Sequence, residues 1–214
     1  KTLLWGSDAE GGAPYSYFNP KKPDELIGFE VDLIKELAKK LKIKEQMVQN
    51  EWDALVPALN RNNFDIAISG IEVTETRKKV INFTRPYYIY SQQIVVQKNE
   101  NKISQLNDLK NRVVGTLSGS AALKILENLG LSVGKNIKLY ASVVQSYEDL
   151  GNNRLDAVLL DLPIAIYYAK QNPLLKFTGE PFGEGFYAIC VRKNDPKLLA
   201  KLNEVLEEML ISGE

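Results

Sequence analysis

Along the chain, short runs of aliphatic and β-branched residues alternate with stretches in which apolar positions recur every three or four residues. A two-residue period trading places with a 3.6-residue one predicts an α/β protein with largely parallel sheets. "TLLWGS" reads as the first strand. After a loop rich in glycine and proline, "GFEVDLIKELAKKL" puts Val31, Ile34, Leu37, Ala38 and Leu41 on one helical face, with lysines opposite, as for a helix laid on a sheet. "WDALVPALNRN" predicts a second helix, with Pro57 tolerated only near its first turn. "FDIAIS" (64–69) predicts the strand that follows. Thr74 is a good N-cap residue and predicts a short helix through "VTETRKKV".

A long β-branched run, "IYSQQIVVQK" (89–98), leads into a second cycle: strand "RVVGT", glycine loop "LSGS", helix "AALKILENLG", strand "IKLYAS", helix "SYEDLGNN", strand "DAVLLD" and helix "PIAIYYAKQ". A last strand, "GFYAICVRK", precedes an amphipathic terminal helix. Two α/β units are therefore expected, with extended segments near 88–93 and 183–187 crossing between them. Because the chain opens in a strand and stops just after a helix, a removed leader and further sequence past the end are also expected.

Length and composition suit one large or two modest lobes, at 214 residues with 44% hydrophobic and 25% charged. Lys+Arg and Asp+Glu both number 27, so no global field favours nucleic acid or an anionic membrane. Histidine is absent, which removes Ser-His-Asp and Cys-His machinery and most zinc and haem sites. The one cysteine, Cys190, sits in an apolar run and reads as a buried strand thiol; no intramolecular disulfide can form. No apolar run approaches the roughly 18 residues of a membrane span, and no signal peptide is visible.

The blocks "GFEVDL", "WDALVPAL", "FDIAISGIEVTETR", "INFTRPYY", "VVGTLSGS" and "DAVLLDLP" resemble, in order and spacing, bacterial amino-acid-binding proteins of ABC importers, solute-binding family 3 with the type II periplasmic-binding fold. Single blocks are weak signals, but the likeness covers nearly the whole chain. It implies two α/β lobes, 1–89 with 186–214 and 90–185, joined by two extended hinge strands and closing on a ligand in the cleft. It further implies an extracytoplasmic location, permease subunits as partners, a monomer, a free L-amino acid as ligand, and no cofactor, catalytic residue or metal.

For the ligand, the resemblance makes Arg77 the carboxylate binder, a role that suits a planar two-pronged donor. The amides of Ser120 and Ala121, at a helix N-terminus, would assist. The family often carries two hydroxyls there, and Ala121 lacks one. Asp161, ending "DAVLLD", matches the amine-binding carboxylate, whereas Asp156 is structural by the same likeness. Ser69 and Gly70, in the block that holds Arg77, join the ligand-facing set. Glu72 departs from the small hydroxyl residue common in the family: it either shares the ammonium with Asp161 or turns outward to a lysine. Trp52 matches a position that covers the ligand side chain. Gly12 stands where many relatives have an aromatic, leaving space for Glu10, Tyr15 or a bulkier ligand, and Gly11–Gly12 allows close backbone approach. Asp8 and Glu10 are either receptors for a cationic side chain or simply solvated. Surplus acid at Glu72 and Glu10 favours arginine or lysine, and a neutral polar ligand such as glutamine fits equally well if Glu72 shares the ammonium and Glu10 is solvated. "NFT" at 82–84 matches a glycosylation pattern by coincidence, and the "YYIY" and "YYAK" tyrosines read as packing. Two other classes stay open: a dehydratase of the cyclohexadienyl kind using Glu72 or Glu10 as acid, and a sensory domain fused to a larger protein.

Overall fold

The computed structural model describes residues 2–213, and these divide into two compact units, 2–89 with 186–213 and Tyr90–Gly185. In the first, β1 (Thr2–Ser7), β4 (Lys44–Gln49), β5 (Ile66–Ala67), β6 (Ile81–Phe83) and β12 (Cys190–Arg192) form one sheet in the order β4-β1-β5-β12-β6. β1 pairs in parallel with β4 and β5, while β12 runs antiparallel to β5 and β6. Alternation along these strands feeds two cores. Trp5, Ile66, Ile68 and Val191 point to one face, where α1 (Phe29–Leu41) and α7 (Pro196–Ser212) contribute Ile34, Leu37, Leu202 and Val205. Ala67 and Cys190 point to the other, with Leu55, Ala58 and Leu59 of α2 (Leu55–Asn60). Cys190 is thus the buried strand thiol expected, and burial pushes its pKa up.

The second unit is built around β11-β7-β10-β8-β9: β7 (Tyr88–Gln97), β8 (Val114–Leu117), β9 (Ile137–Tyr140), β10 (Ala157–Asp161) and β11 (Leu175–Tyr187). β8 is parallel to β9 and β10, whereas β7 returns antiparallel to β10. Helices α4 (Ala121–Asn128), α5 (Val143–Gly151) and α6 (Leu162–Tyr168) follow the strands, and Val114, Leu126, Ala157 and Leu159 share one apolar cluster. The chain passes between the units inside two strands, at Ile89–Tyr90 in β7 and Gly185–Phe186 in β11.

Local differences from the sequence reading have local causes. The stretch expected as one helix from Trp52 is a 3-10 turn, Trp52–Ala54, followed by α2, because the Trp52 indole is drawn to a strand-end carbonyl. "FDIAIS" pairs as a strand only at 66–67, and "GFYAICVRK" is interrupted at 188–189 between β11 and β12. The first loop contains an unforeseen hairpin, β2 (Tyr17–Asn19) with β3 (Lys22–Ile27), whose polar exposed faces carry no alternation to read. Thr74 does cap α3 (Glu75–Lys78), its Oγ1 accepting from Arg77 N at 3.2 Å.

Leu37 on α1 is wholly buried against this sheet. Leu37→Ala should lower stability by about 2–5 kcal/mol, seen as a reduced urea midpoint with an unchanged slope.

Candidate functional site

Parallel strands direct their C-terminal ends to one edge, where the chain turns and polar groups collect. In the first unit that edge carries Asp8, just past β1; Trp52, past β4; and Ser69–Gly70, past β5. These residues are tied together. The Trp52 indole N–H donates to the Ser69 carbonyl at 2.8 Å, the Asp8 N–H to Ser69 Oγ at 3.2 Å, and Gln49 Nε2 to Asp8 Oδ1 at 3.0 Å. Burial raises the Asp8 carboxyl above its ordinary 3.8, opposed by the hydrogen bond from Gln49 and by the Glu10 and Trp52 amides.

Arg77 lies next to this group. Its guanidinium carbon sits 5.0 Å from the centroid of the Trp52 ring, in cation–π range, and Nη1 donates to Glu72 Oε2 at 2.6 Å and to the Glu72 carbonyl at 2.9 Å. The Glu72 side chain is 2% exposed and that of Arg77 14%, so this is a desolvated ion pair. Glu72 does not turn outward to a lysine; it is buried and paired with Arg77, a partner that neither alternative named, because a desolvated carboxylate needs a counter-charge. Trp52 is half-buried, packed at the edge of an apolar cluster with its ring over Arg77.

The opening loop differs from expectation in what its glycines do. A Cβ on Gly12 would lie 1.9 Å from the Asp8 carbonyl oxygen, and the Gly12 carbonyl accepts from Tyr15 N and Ser16 N. The close approach that needs glycine is therefore of the chain to itself. Tyr15 does not stand in open space: it is buried, its hydroxyl 2.8 Å from that of Tyr187, its ring edge-on to Phe29 and packed on Gly70. Glu10 is exposed and its amide donates to Asp8 Oδ1 at 3.0 Å.

Behind the turn at Gly70 stands a group that sequence reasoning missed. Glu30, in the first turn of α1, is fully buried; its Oε1 accepts the Gly70 N–H at 2.7 Å and the Tyr87 O–H, while Oε2 is buried with no hydrogen-bond partner. Burial lifts its pKa from 4.5 to about 7, against the pull of the Tyr87 and Gly70 donors. The available signal was its place in "GFEVDL": the turn after Gly28 puts residue 30 on the buried face beside Val31.

In the second unit the same strand-end logic assembles a different set. Ser120 is the N-cap of α4: its Oγ accepts from Leu123 N at 3.2 Å and donates to the Leu117 carbonyl at 2.8 Å. Its own amide turns back to the Leu117 carbonyl at 3.3 Å, so both polar groups already serve the helix start, and Ala121 opens the first turn. Asp161, 5% exposed, caps β10 and accepts from Gln92 Nε2 at 2.6 Å across the β7–β10 pair. Gln92 Oε1 and the Tyr147 hydroxyl are buried without a hydrogen-bond partner, and Tyr147 has its pKa raised by burial and then by Asp161. Gln92 and Tyr147 were not foreseen, since a glutamine in a strand and a tyrosine in a helix read as packing. Asp156 accepts from Val113 N at 2.7 Å, a structural bond at the opposite end of β10.

Chemically, the two sets offer a stacked guanidinium with its own counter-ion, buried carboxylates and helix-start turns. They provide no nucleophile–base pair, and the described residues contain no group of three or more His, Cys, Asp or Glu able to hold a metal. Such an arrangement defines a binder of small polar molecules on an α/β scaffold. The chain belongs to the bacterial extracellular solute-binding proteins, family 3, which match it over residues 4–214. It is 34% identical over 206 residues to a probable histidine-binding protein of Neisseria gonorrhoeae, covering 94% of this chain and 76% of that one. Identity is 32% over 196 residues to an ABC transporter arginine-binding protein 1 of Escherichia coli, covering 89% and 79%. An ancestral arginine-binding protein bound to arginine superposes with a TM-score of 0.92 at 36% identity, covering 99% of this chain and 93% of that one; its glutamine-bound form gives 0.91. These similarities favour a binding protein over the dehydratase alternative.

Because the folded-state pKa of Glu30 lies above its ordinary value, its contribution to stability is complete below pH 4.5 and is lost as pH rises through 7. Glu30→Gln should flatten that part of the profile by about 3 kcal/mol, measured by urea unfolding at pH 4.5 and pH 8.

Proposed function

We propose that this chain is the extracytoplasmic amino-acid-binding component of an ABC importer, monomeric and handing its ligand to membrane permease subunits. Its ligand is an L-amino acid with a cationic or neutral polar side chain. Arg77 takes the ligand carboxylate with help from the α4 start at Ser120 and Ala121, Asp161 takes the ammonium, and Trp52, Ser69 and Gly70 frame the remainder. Groups from both units then share one ligand, and the free energy that favours the liganded arrangement is the ligand's differential affinity for it.

The observation that carries the side-chain preference is the Arg77–Glu72 pair. Arg77 arrives with its charge already balanced by Glu72, so beside a bound zwitterion Asp8 and Asp161 count as net acid. Asp8, whose burial raises its pKa, gains from a neighbouring cation. The arginine-bound and glutamine-bound forms of the ancestral relative support the same two ligands.

In a thermal-shift screen of the twenty L-amino acids, a ligand at a hundred times its Kd adds about 2.7 kcal/mol, a rise of roughly 5–10 °C for a chain of this size. Arginine, lysine, histidine or glutamine should give the largest rise; a shift by aspartate or glutamate alone would sink the charge argument. Arg77→Lys keeps the charge but not the fork, and should weaken binding of the best ligand by two to three decades in calorimetry, since a desolvated pair mis-made costs about 3–5 kcal/mol. Glu72→Gln removes the balancing charge and should lower the arginine-to-glutamine affinity ratio about tenfold, ~1.4 kcal/mol.

A further inference from the structure

The carboxylate of Glu30 reaches the groups proposed to meet the ligand only through the Gly70 amide, and it holds the turn they hang from. Gly70 has φ 59°, a left-handed conformation, and a Cβ there would fall 2.9 Å from the Tyr15 ring. Its amide donates to Glu30 Oε1 at 2.7 Å, a buried anchor for that turn. On either side of Gly70 lie the Ser69 carbonyl that receives the Trp52 indole and the Glu72 that pairs with Arg77. Gly70 thus links a buried acid to both the aromatic and the cation.

We propose, resting on the amino-acid-binding reading above, that Glu30 is a positioning residue for that site: by accepting the Gly70 N–H and the Tyr87 O–H it holds the 69–72 turn in shape, and its ionisation tunes ligand affinity. An ionised carboxylate accepts the amide more strongly than a neutral carboxyl does, so affinity rises with pH through the Glu30 midpoint. The surroundings leave few rivals for such a titration. The chain has no histidine. Packed on Glu30 from the neighbouring loops and strands are Tyr87, Tyr15 and Cys190, and Tyr87 and Cys190 both have raised pKa values. Glu72 and Arg77 act on the same Cys190 thiol from the 72–77 segment and balance each other. Against α1 from its other side, α7 offers apolar Leu202, Val205, Leu206 and Met209.

The test is calorimetric titration with arginine or glutamine, whichever binds better, from pH 5.5 to 8.5, alongside the Gly70 amide resonance in ¹⁵N-labelled protein. Wild type should show affinity and the Gly70 shift changing with one common midpoint. Glu30→Gln should flatten both and weaken binding at pH 8 about tenfold or more, the loss expected for one charge-assisted hydrogen bond. Tyr87→Phe removes a donor that lowers the Glu30 pKa, so both midpoints should move to higher pH. A folded Glu30→Gln protein with wild-type affinity and pH profile overturns the proposal. If that variant does not fold, a Tyr87→Phe protein whose Gly70 midpoint moves while its binding profile stays put overturns it equally. Wild type binding no amino acid at any pH is a separate result, which defeats the ligand assignment first.

Discussion

A guanidinium withdrawn from water must be paired, and the pairing of Arg77 with Glu72 is the constraint around which the first unit's polar edge is arranged. Thr74 caps the four-residue helix that carries Arg77, so the arginine leaves the backbone from a defined position even though so short a helix has little stability of its own. Trp52 closes over the cation and is itself held by the Ser69 carbonyl. Removing the Glu72 carboxylate would take from this cation its charge-balancing partner at 2.6 Å.

The second unit satisfies its buried acid differently. Asp161 has a neutral donor, Gln92, across an antiparallel pair, and a tyrosine hydroxyl nearby. A carboxylate held by an amide keeps its negative charge available to a cation in a way that one neutralised by arginine does not. The two acids Glu72 and Asp161 therefore differ in partner: the first pairs with a cation of the protein, the second accepts from a neutral amide. Glu30 is a third case, an acid with one oxygen accepting two hydrogen bonds and the other without one, and its burial moves its titration to near neutral pH.

Family membership fits with these details. The relatives include proteins described as binding histidine and arginine, and a solved ancestor holds arginine or glutamine, all dipolar molecules with polar side chains. Glu72 and Gly12 are both accommodated by internal contacts: an ion pair for one, a loop folded against its own carbonyls for the other.

Much of the architecture was legible because it rests on local periodicity. Ile34 and Leu37 on a helix, Ile66 and Ile68 on alternate strand positions, and Thr74 as a cap follow from spacing that any tertiary setting must respect. The polar hairpin Tyr17–Ile27 and the break at Trp52 were not legible, because nothing in their pattern alternates and their geometry answers to distant partners. At the candidate site the residue types were readable, Arg77, Glu72 and Asp161 among them. Which acid faces which cation was decided only by the fold, since Glu72 and Arg77, five apart in the chain, meet across a turn shaped by Glu30, forty residues before Gly70. Hydrophobic pattern is a one-dimensional property and survives in the sequence; the pairing of buried charges depends on distance and desolvation, and these exist only once the strands are packed.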